Sequence, residues 1–298
     1  MSDADKRAAW ADFWAAEFGG HGGCLAGAGD ELGAAQALAW RELANELPKG
    51  SRVLDLGTGD GVVLHQIAKF RPDLKLTGID SAPSLPAQKG KIRLQPGIAM
   101  EQLPFAADSF EAIVSQFGYE YGPTAMAARE VGRVLKAGGR FRFLVHHRAG
   151  PIVRHNRARA SALRWAVFES GQFAKARSLA ESRRLLTLAT PPAFNAAVTD
   201  AAQRFPGQSV AAEVMQALVQ SLDPRRGAEG SLAAISEIER KARGELLRLE
   251  ALADAARDED GARAILNELS EAGLKTDEPR TIANRSGEPF AWILSGLA

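Results

Sequence analysis

The sequence predicts an α/β protein: a mostly parallel sheet with helices on both faces, interrupted by a large all-helical insertion. Three observations predict it. Short apolar runs alternate with helix-length segments as far as about residue 148. No convincing strand occurs from about 156 to 258. Two strand-like runs then close the chain. Strands that alternate with helices of ten or so residues imply parallel pairing through crossover helices.

The elements follow in order. The first 50 residues read as helical, broken by the glycine-rich "FGGHGGCLAGAGD" (18–30). "SRVLDLG" (51–57) is a buried strand and "GVVLHQIAKF" (61–70) the helix after it. "LKLTGID" (74–80) and "KIRLQPGIAM" (91–100) are the second and third strands, and "FEAIVSQF" (110–117) the fourth. "AMAAREVGRVL" (125–135) has helical spacing and runs into "KAGG", a glycine C-cap signal. "RFRFLVHH" (140–147) is the fifth strand. In the insertion, Ile235, Ile238, Ala242, Leu246, Leu249 and Ala253 mark one face of a long amphipathic helix. "GARAILNELSEAGL" (261–274) is a further helix, and "EPRTIAN" and "FAWILSGL" are the closing strands. The domain reading is a helical segment over 1–50, a core over 51–150 and 259–298, and a helical insertion over 151–258.

Composition limits what such a chain does. Its 298 residues suit one domain with an insertion. A formal charge of +1 gives no global attraction to nucleic acid or acidic membrane. A single cysteine, Cys24, excludes an internal disulfide, and no acid or histidine cluster has metal-ligand spacing. The N-terminus lacks the apolar core of a signal peptide, and no stretch approaches ~20 uninterrupted apolar residues. The expectation is a soluble, cytoplasmic protein without a metal.

The chemistry starts at "VLDLGTGDG" (53–61). A dinucleotide fold asks for G-x-G-x-x-G so that a helix can approach a pyrophosphate. Here the glycines are Gly57, Gly59 and Gly61, and Val62 occupies the third position. Asp55 and Asp60 flank the turn. Two carboxylates repel a pyrophosphate at close range but suit a ligand with an ammonium and a sulfonium. That charge pattern is S-adenosylmethionine. Asp80 ends the second strand, where an acid accepts hydrogen bonds from both ribose hydroxyls. Its structural alternative is a turn or helix cap in "DSAPS".

With "LTGID", "EQLPFAADSFEAIVSQF" and "EVGRVLKAGGRF" following in order, the chain resembles the class I S-adenosylmethionine-dependent methyltransferases, over roughly 50–148 and 260–298. The resemblance implies a Rossmann-like sheet of seven strands with the last antiparallel, here "FAWILSGL". It implies cofactor contacts from Gly57, Thr58 and Gly59, with Asp55 supporting the turn. Asp80 and Ser81 belong to the ribose, Met100 and Glu101 to the adenine, and Gln116 to the methionine part. Ala99 stands where relatives often carry an adenine-binding acid, so backbone groups near Met100 and Glu101, and apolar contact from Met100 or Leu103, take that task.

The acceptor side is drawn from residue placement. Both tyrosines of the chain, Tyr119 and Tyr121, follow the fourth strand, and His146, His147 and His155 follow the fifth. The carboxyl ends of parallel strands are where ligands bind. Tyr119, Tyr121, His146 and His147 are therefore the candidate acceptor pocket, with one histidine a candidate proton acceptor. The alternatives are packing roles for the tyrosines and capping roles for the histidines. His65 reads as structural, and His21 as a loop residue. Between Arg154 and Arg184 eight arginines and lysines face only Glu169 and Glu181. Such a bias fits an acidic metabolite or an RNA backbone, or else a solvated helix face. The function expected is methyl transfer to a small-molecule acceptor under a helical cap. RNA or protein methylation is the alternative, with a non-catalytic cofactor-binding scaffold a third reading. No membrane partner is expected.

Overall fold

Residue alternation in the strands sorts the apolar side chains onto two faces of one sheet. The computed structural model describes Trp10, 29–88, 90–184 and 189–298. Helix α1 (Gly29–Glu46) leads into β1 (Arg52–Leu56), α2 (Val62–Phe70), β2 (Lys75–Asp80) and β3 (Arg93–Pro96). Then come β4 (Phe110–Gln116), a 3-10 turn (Tyr119–Tyr121), α3 (Thr124–Val134) and β5 (Leu135–His146). The helical stretch contains α4 (Pro151–Arg164), a π-helical turn (Trp165–Glu169), α5 (Gln172–Ser182), α6 (Ala193–Arg204), α7 (Val210–Ser221) and α8 (Gly227–Ala255). The chain closes with α9 (Glu259–Glu271), β6 (Lys275–Thr276), β7 (Arg280–Ala283) and β8 (Pro289–Leu297).

The sheet order is β3-β2-β1-β4-β5-β8-β6, with β7 also paired to β8. β1 to β5 are parallel, and β8 is antiparallel to β5, β6 and β7. Val53, Val114 and Leu144 point to the face covered by α1 and α2. Their neighbours Leu54, Ile113 and Phe143 point to the face covered by α3 and α9. Period-two side chains buried on both faces explain why these strands read as unbroken apolar runs.

The chain divides into two compact units. One is Met1–Arg154 with Ala251–Ala298, and contains the sheet; the other is His155–Glu250, wholly helical among its described residues. The helical unit has its own core, including Leu163, Phe173, Phe194, Met215, Leu218, Ile235 and Leu246.

Three sequence expectations differ from the structure. The third strand is only Arg93–Pro96, because Gly97 turns at φ 72° and its N–H, with that of Ile98, bonds to Ala82 O and Asp80 O. Helix α3 does not end on a glycine. Leu135 passes straight into an extended conformation, and the N–H groups of Asp108 and Ser109 satisfy the carbonyls of Arg133 and Val134. The expected seven strands are eight, because Lys275–Thr276 adds a two-residue strand against the end of β8. His65, read as structural, is exposed on α2 and bonded to Gln88, which leaves that reading standing. The expectations for His21, Cys24 and most of 1–28 lie outside the described residues.

Candidate active site

The glycine turn after β1 is built by two acids. Thr58 Oγ1 donates to Asp55 Oδ2 at 2.7 Å, and Thr58 N donates to Ile79 O. The Thr58 side chain therefore lies directly on Gly78 of β2, where a Cβ would fall 2.3 Å from its hydroxyl. Gly57, Gly59 and Gly61 all take positive φ, at 65°, 52° and 82°. That backbone suits glycine. Asp80 completes the turn from β2. Its Oδ2 accepts from Gly59 N at 3.0 Å and its Oδ1 from Ala82 N at 2.9 Å.

The electrostatics of this turn are unusual. Asp55 is fully buried, and burial pushes its carboxyl up to about 8. The Thr58 hydroxyl opposes the rise, while Asp80 and Asp60 add to it. Asp55 Oδ1 is buried without a partner among the described residues. Burial also raises Asp80, against the two N–H groups that it accepts. A cation placed beside such buried carboxyls would stabilise their ionised form.

The loop after β4 packs against this turn, glycine to glycine. A Cβ on Gly57 would fall 3.0 Å from Gly118 Cα, and one on Gly118 would fall 2.9 Å from Leu56 O. Ser115 Oγ donates to Leu56 O and accepts from Tyr119 N, fixing the loop to β1. Phe117 takes φ 55°, a strained value for a residue with a side chain. Its ring then stacks on His146, with centroids 4.1 Å apart.

The four candidate acceptor residues do not form one pocket. His146 and His147 are consecutive at the end of β5 and point to opposite faces. His146 is fully buried beside Phe117, with the Tyr121 ring edge-on at 6.2 Å and Trp10 edge-on to Tyr121 at 5.6 Å. His147 instead stacks on Trp292 at 4.9 Å, on the α3 and α9 side, and burial lowers its pKa. The tyrosines also separate. Tyr119 is fully buried against Phe143, and its hydroxyl donates to Thr124 O at 2.9 Å. Burial raises its pKa, with Glu268 adding to the rise. Tyr119 and His147 are thus corrected to packing residues, and Tyr121 and His146 stay together. The sequence missed the partner of His146. Glu120, between the two tyrosines, is wholly buried and meets His146 Nδ1 at 2.8 Å.

The remaining candidates are placed as follows. Gln116 Oε1 accepts from Trp40 Nε1 at 2.8 Å, which ties α1 to the end of β4. Ser81 is exposed just past β2. Met100 and Glu101 are half-buried in the loop after β3, and a Cβ on Gly122 would meet Met100 Sδ at 3.0 Å. Leu103 is buried in the core, its N–H donating to Glu130.

The basic bias of the insertion is answered within the helical unit. Arg159 pairs with Glu245 at 2.5 Å, Arg164 with Glu250, Arg177 with Glu239 and Arg184 with Glu229 at 2.6 Å. All four acids lie on α8, far along the chain from the arginines, which is why the local count suggested a free basic surface. Among the described residues, no helix is long and apolar enough to cross a membrane, and no group of three or more His, Cys, Asp or Glu is placed to hold a metal.

S-adenosylmethionine fits these residues. Both Asp80 oxygens keep a second lone pair for ribose hydroxyls after accepting the two backbone bonds. The unsatisfied Asp55 oxygen and the raised carboxyls suit its cationic end. Residues 53–139 match a family described as a methyltransferase domain. Over 107 residues the chain is 37% identical to the protein named uncharacterized methyltransferase YcgJ of Bacillus subtilis, covering 32% of this chain and 41% of that one. Over 109 residues it is 35% identical to a demethylmenaquinone methyltransferase of Thermotoga maritima, covering 34% and 47%. The chain spans less than half the length of these curated relatives. An S-adenosylmethionine-dependent methyltransferase from Mesorhizobium loti is similar at a TM-score of 0.46 and 16% identity, over 89% of this chain and 99% of that one. The stretch that matches the methyltransferase domain family thus runs from β1 through the acid-flanked turn into β5.

Proposed function

We propose that the protein transfers a methyl group from S-adenosylmethionine to a small-molecule acceptor at the carboxyl ends of β4 and β5. The observation that carries this is the pair of acids built into the glycine turn, Asp55 and Asp80, in a setting that favours a cation over a pyrophosphate. When bound, the cofactor supplies an electrophilic methyl on a sulfonium. The protein's part is to bind, orient and dehydrate. In this reading Gly57, Thr58 and Gly59 line the methionine side with Gln116, Asp80 and Ser81 hold the ribose, and Met100 and Glu101 flank the adenine. Tyr121 and His146 border the acceptor, with His146 as its proton acceptor.

Several matched relatives are named for demethylmenaquinone methylation, so a reduced naphthoquinone is the acceptor to try first. The aromatic surroundings of His146, namely Phe117, Tyr121 and Trp10, support a flat acceptor of that class. The arginine pairs with α8 argue against an RNA backbone as substrate. The same reading predicts slower hydrogen exchange in the insertion (151–258) when cofactor and acceptor bind together.

The test is calorimetry followed by turnover. S-adenosylhomocysteine should bind and NAD should not; labelled methyl should then pass to reduced demethylmenaquinone. NAD binding without any response to S-adenosylhomocysteine overturns the proposal. Binding without turnover on the quinol removes that acceptor class and leaves the cofactor assignment standing.

A further inference from the structure

Glu120 is a buried acid to which the proposed chemistry gives no role. It lies in the 3-10 turn after β4, and its side chain and that of His146 are both wholly enclosed. Its Oε1 meets the same residue twice, lying 2.8 Å from His146 Nδ1 and accepting from the His146 backbone N–H at 3.0 Å. Its Oε2 is buried with no partner among the described residues. Arg257 clamps both residues through the backbone, its Nη2 donating to Glu120 O at 3.1 Å and its N–H to His146 O at 2.9 Å. Phe117 covers one face of the imidazole and Tyr121 meets its edge. The titratable or charged groups described against the pair are therefore Tyr121 and Arg257.

A carboxylate only accepts hydrogen bonds, so the nitrogen that faces it carries the proton. Which imidazole nitrogen is protonated is set by the partner of the other. We propose that Glu120 is the positioning residue of the methyl-transfer site, holding His146 as the Nδ1–H tautomer so that Nε2 is the proton-accepting atom. This rests on the methyltransferase reading above and adds to it the group that makes His146 a base.

The step balances. With the cofactor bound, an electron pair of the acceptor (a ring π pair in a quinol) would form the new bond to the methyl carbon, the electrons of the broken carbon–sulfur bond would stay on sulfur, and the acceptor's proton would pass to Nε2. The resulting imidazolium faces the Glu120 carboxylate through Nδ1–H. In a buried setting this offsets a carboxylate whose second oxygen is otherwise uncompensated. Glu120 touches neither the acceptor nor the cofactor in this scheme and acts only through His146.

The experiment is nitrogen NMR on the full chain labelled with 15N-histidine, with His146 signals assigned by their loss in His146→Gln. The wild type should show Nδ1 protonated and Nε2 unprotonated, and the ring signals should move when S-adenosylhomocysteine is added. In Glu120→Gln the amide oxygen still accepts from Nδ1–H but carries no charge, so His146 should titrate at lower pH than in the wild type. Glu120→Asp should restore the wild-type behaviour at least in part. The wild-type spectrum needs no variant to fold, so the proposal is tested in either case. An Nε2–H tautomer in the wild type overturns it. So does a titration unchanged in Glu120→Gln, or a His146 signal that ignores bound S-adenosylhomocysteine. If S-adenosylhomocysteine does not bind the wild type at all, the methyltransferase reading falls, and the proposal falls with it even if the tautomer is as expected.

Discussion

Thr58 Oγ1 donates a 2.7 Å hydrogen bond to Asp55 Oδ2, while Asp55 Oδ1 is buried without a partner among the described residues. One acid thus both ties down the glycine turn and has an unsatisfied oxygen. Its folded-state carboxyl stands at about 8, against 3.8 when unperturbed. The folded state therefore holds a proton that the unfolded chain has lost. The stability from this group is complete below 3.8 and is lost as pH rises through about 8. The melting temperature of the ligand-free protein should fall over that window. Asp55→Asn, which does not titrate, should flatten the fall. A wild-type curve that rises through the same window would mean that Asp55 is ionised throughout.

Cofactor binding should carry the matching proton signature. A cation placed beside Asp55 stabilises the carboxylate, so binding of S-adenosylhomocysteine near neutral pH should release protons. Affinity should then rise as the solution approaches pH 8. Calorimetry in buffers of different ionisation enthalpy measures the proton count directly. Asp55→Asn should abolish it.

Asp80→Ala should weaken S-adenosylhomocysteine binding by about 1–3 kcal/mol, the usual loss of charge-assisted hydrogen bonds. The same change leaves Gly59 N and Ala82 N without their acceptor, so the turn itself should loosen. A dissociation constant within two-fold of the wild type would assign Asp80 to turn structure alone.

Gly78→Ala tests the contact between β2 and the glycine turn. The new methyl would fall 2.3 Å from Thr58 Oγ1 and 2.7 Å from Thr58 Cβ. The expected cost is about 1–3 kcal/mol, typical of overpacking, together with weaker cofactor binding. Adding Thr58→Gly should recover part of the thermal stability, as thermal melts of the single and double variants would show. No recovery would place the strain elsewhere.

The arginine pairs of the helical unit should behave as surface structure. A double-mutant cycle on Arg177 and Glu239 should give a coupling of about 0.2–1 kcal/mol that shrinks with salt. Neutralising Arg154, Arg157 and Arg159 together should leave RNA retention unchanged. A loss of tight, steeply salt-dependent RNA binding in that variant would restore the nucleic-acid reading.

The glycine turn was the more legible part of the candidate site, because it is local. Asp55, Gly57, Thr58 and Gly59 are neighbours in the chain, and a turn of that kind is written in consecutive residues. Asp80 lies in the next strand, at a parallel register that pairs Asp55 with Gly78. The four candidate acceptor residues depend on which face of the sheet each one meets, and counting placed them in one pocket where the strand pleat separates them. His146 and His147 differ by one position and so lie on opposite faces; Tyr119 and Tyr121 part across a 3-10 turn. Glu120 gave no signal, since an acid between two tyrosines reads as exposed until its partner, 26 positions away, is seen. The charge bias of the insertion failed for the same reason. Its compensating acids, on α8, are 45 to 86 positions distant.

The two stems of the helical insertion carry a consequence for how the gene can change. His147 forms a parallel bridge with Arg257, Arg148 N donates to Arg257 O, and Arg257 N donates to His146 O. The chain thus departs from β5 and comes back to the same spot before α9. A cassette with its two ends fastened together can be excised and replaced by a short linker while β8 stays zipped to β5, and a different cassette can be grafted into the same socket. The helical unit can then be exchanged by recombination at two codons' neighbourhoods while the sheet is inherited intact.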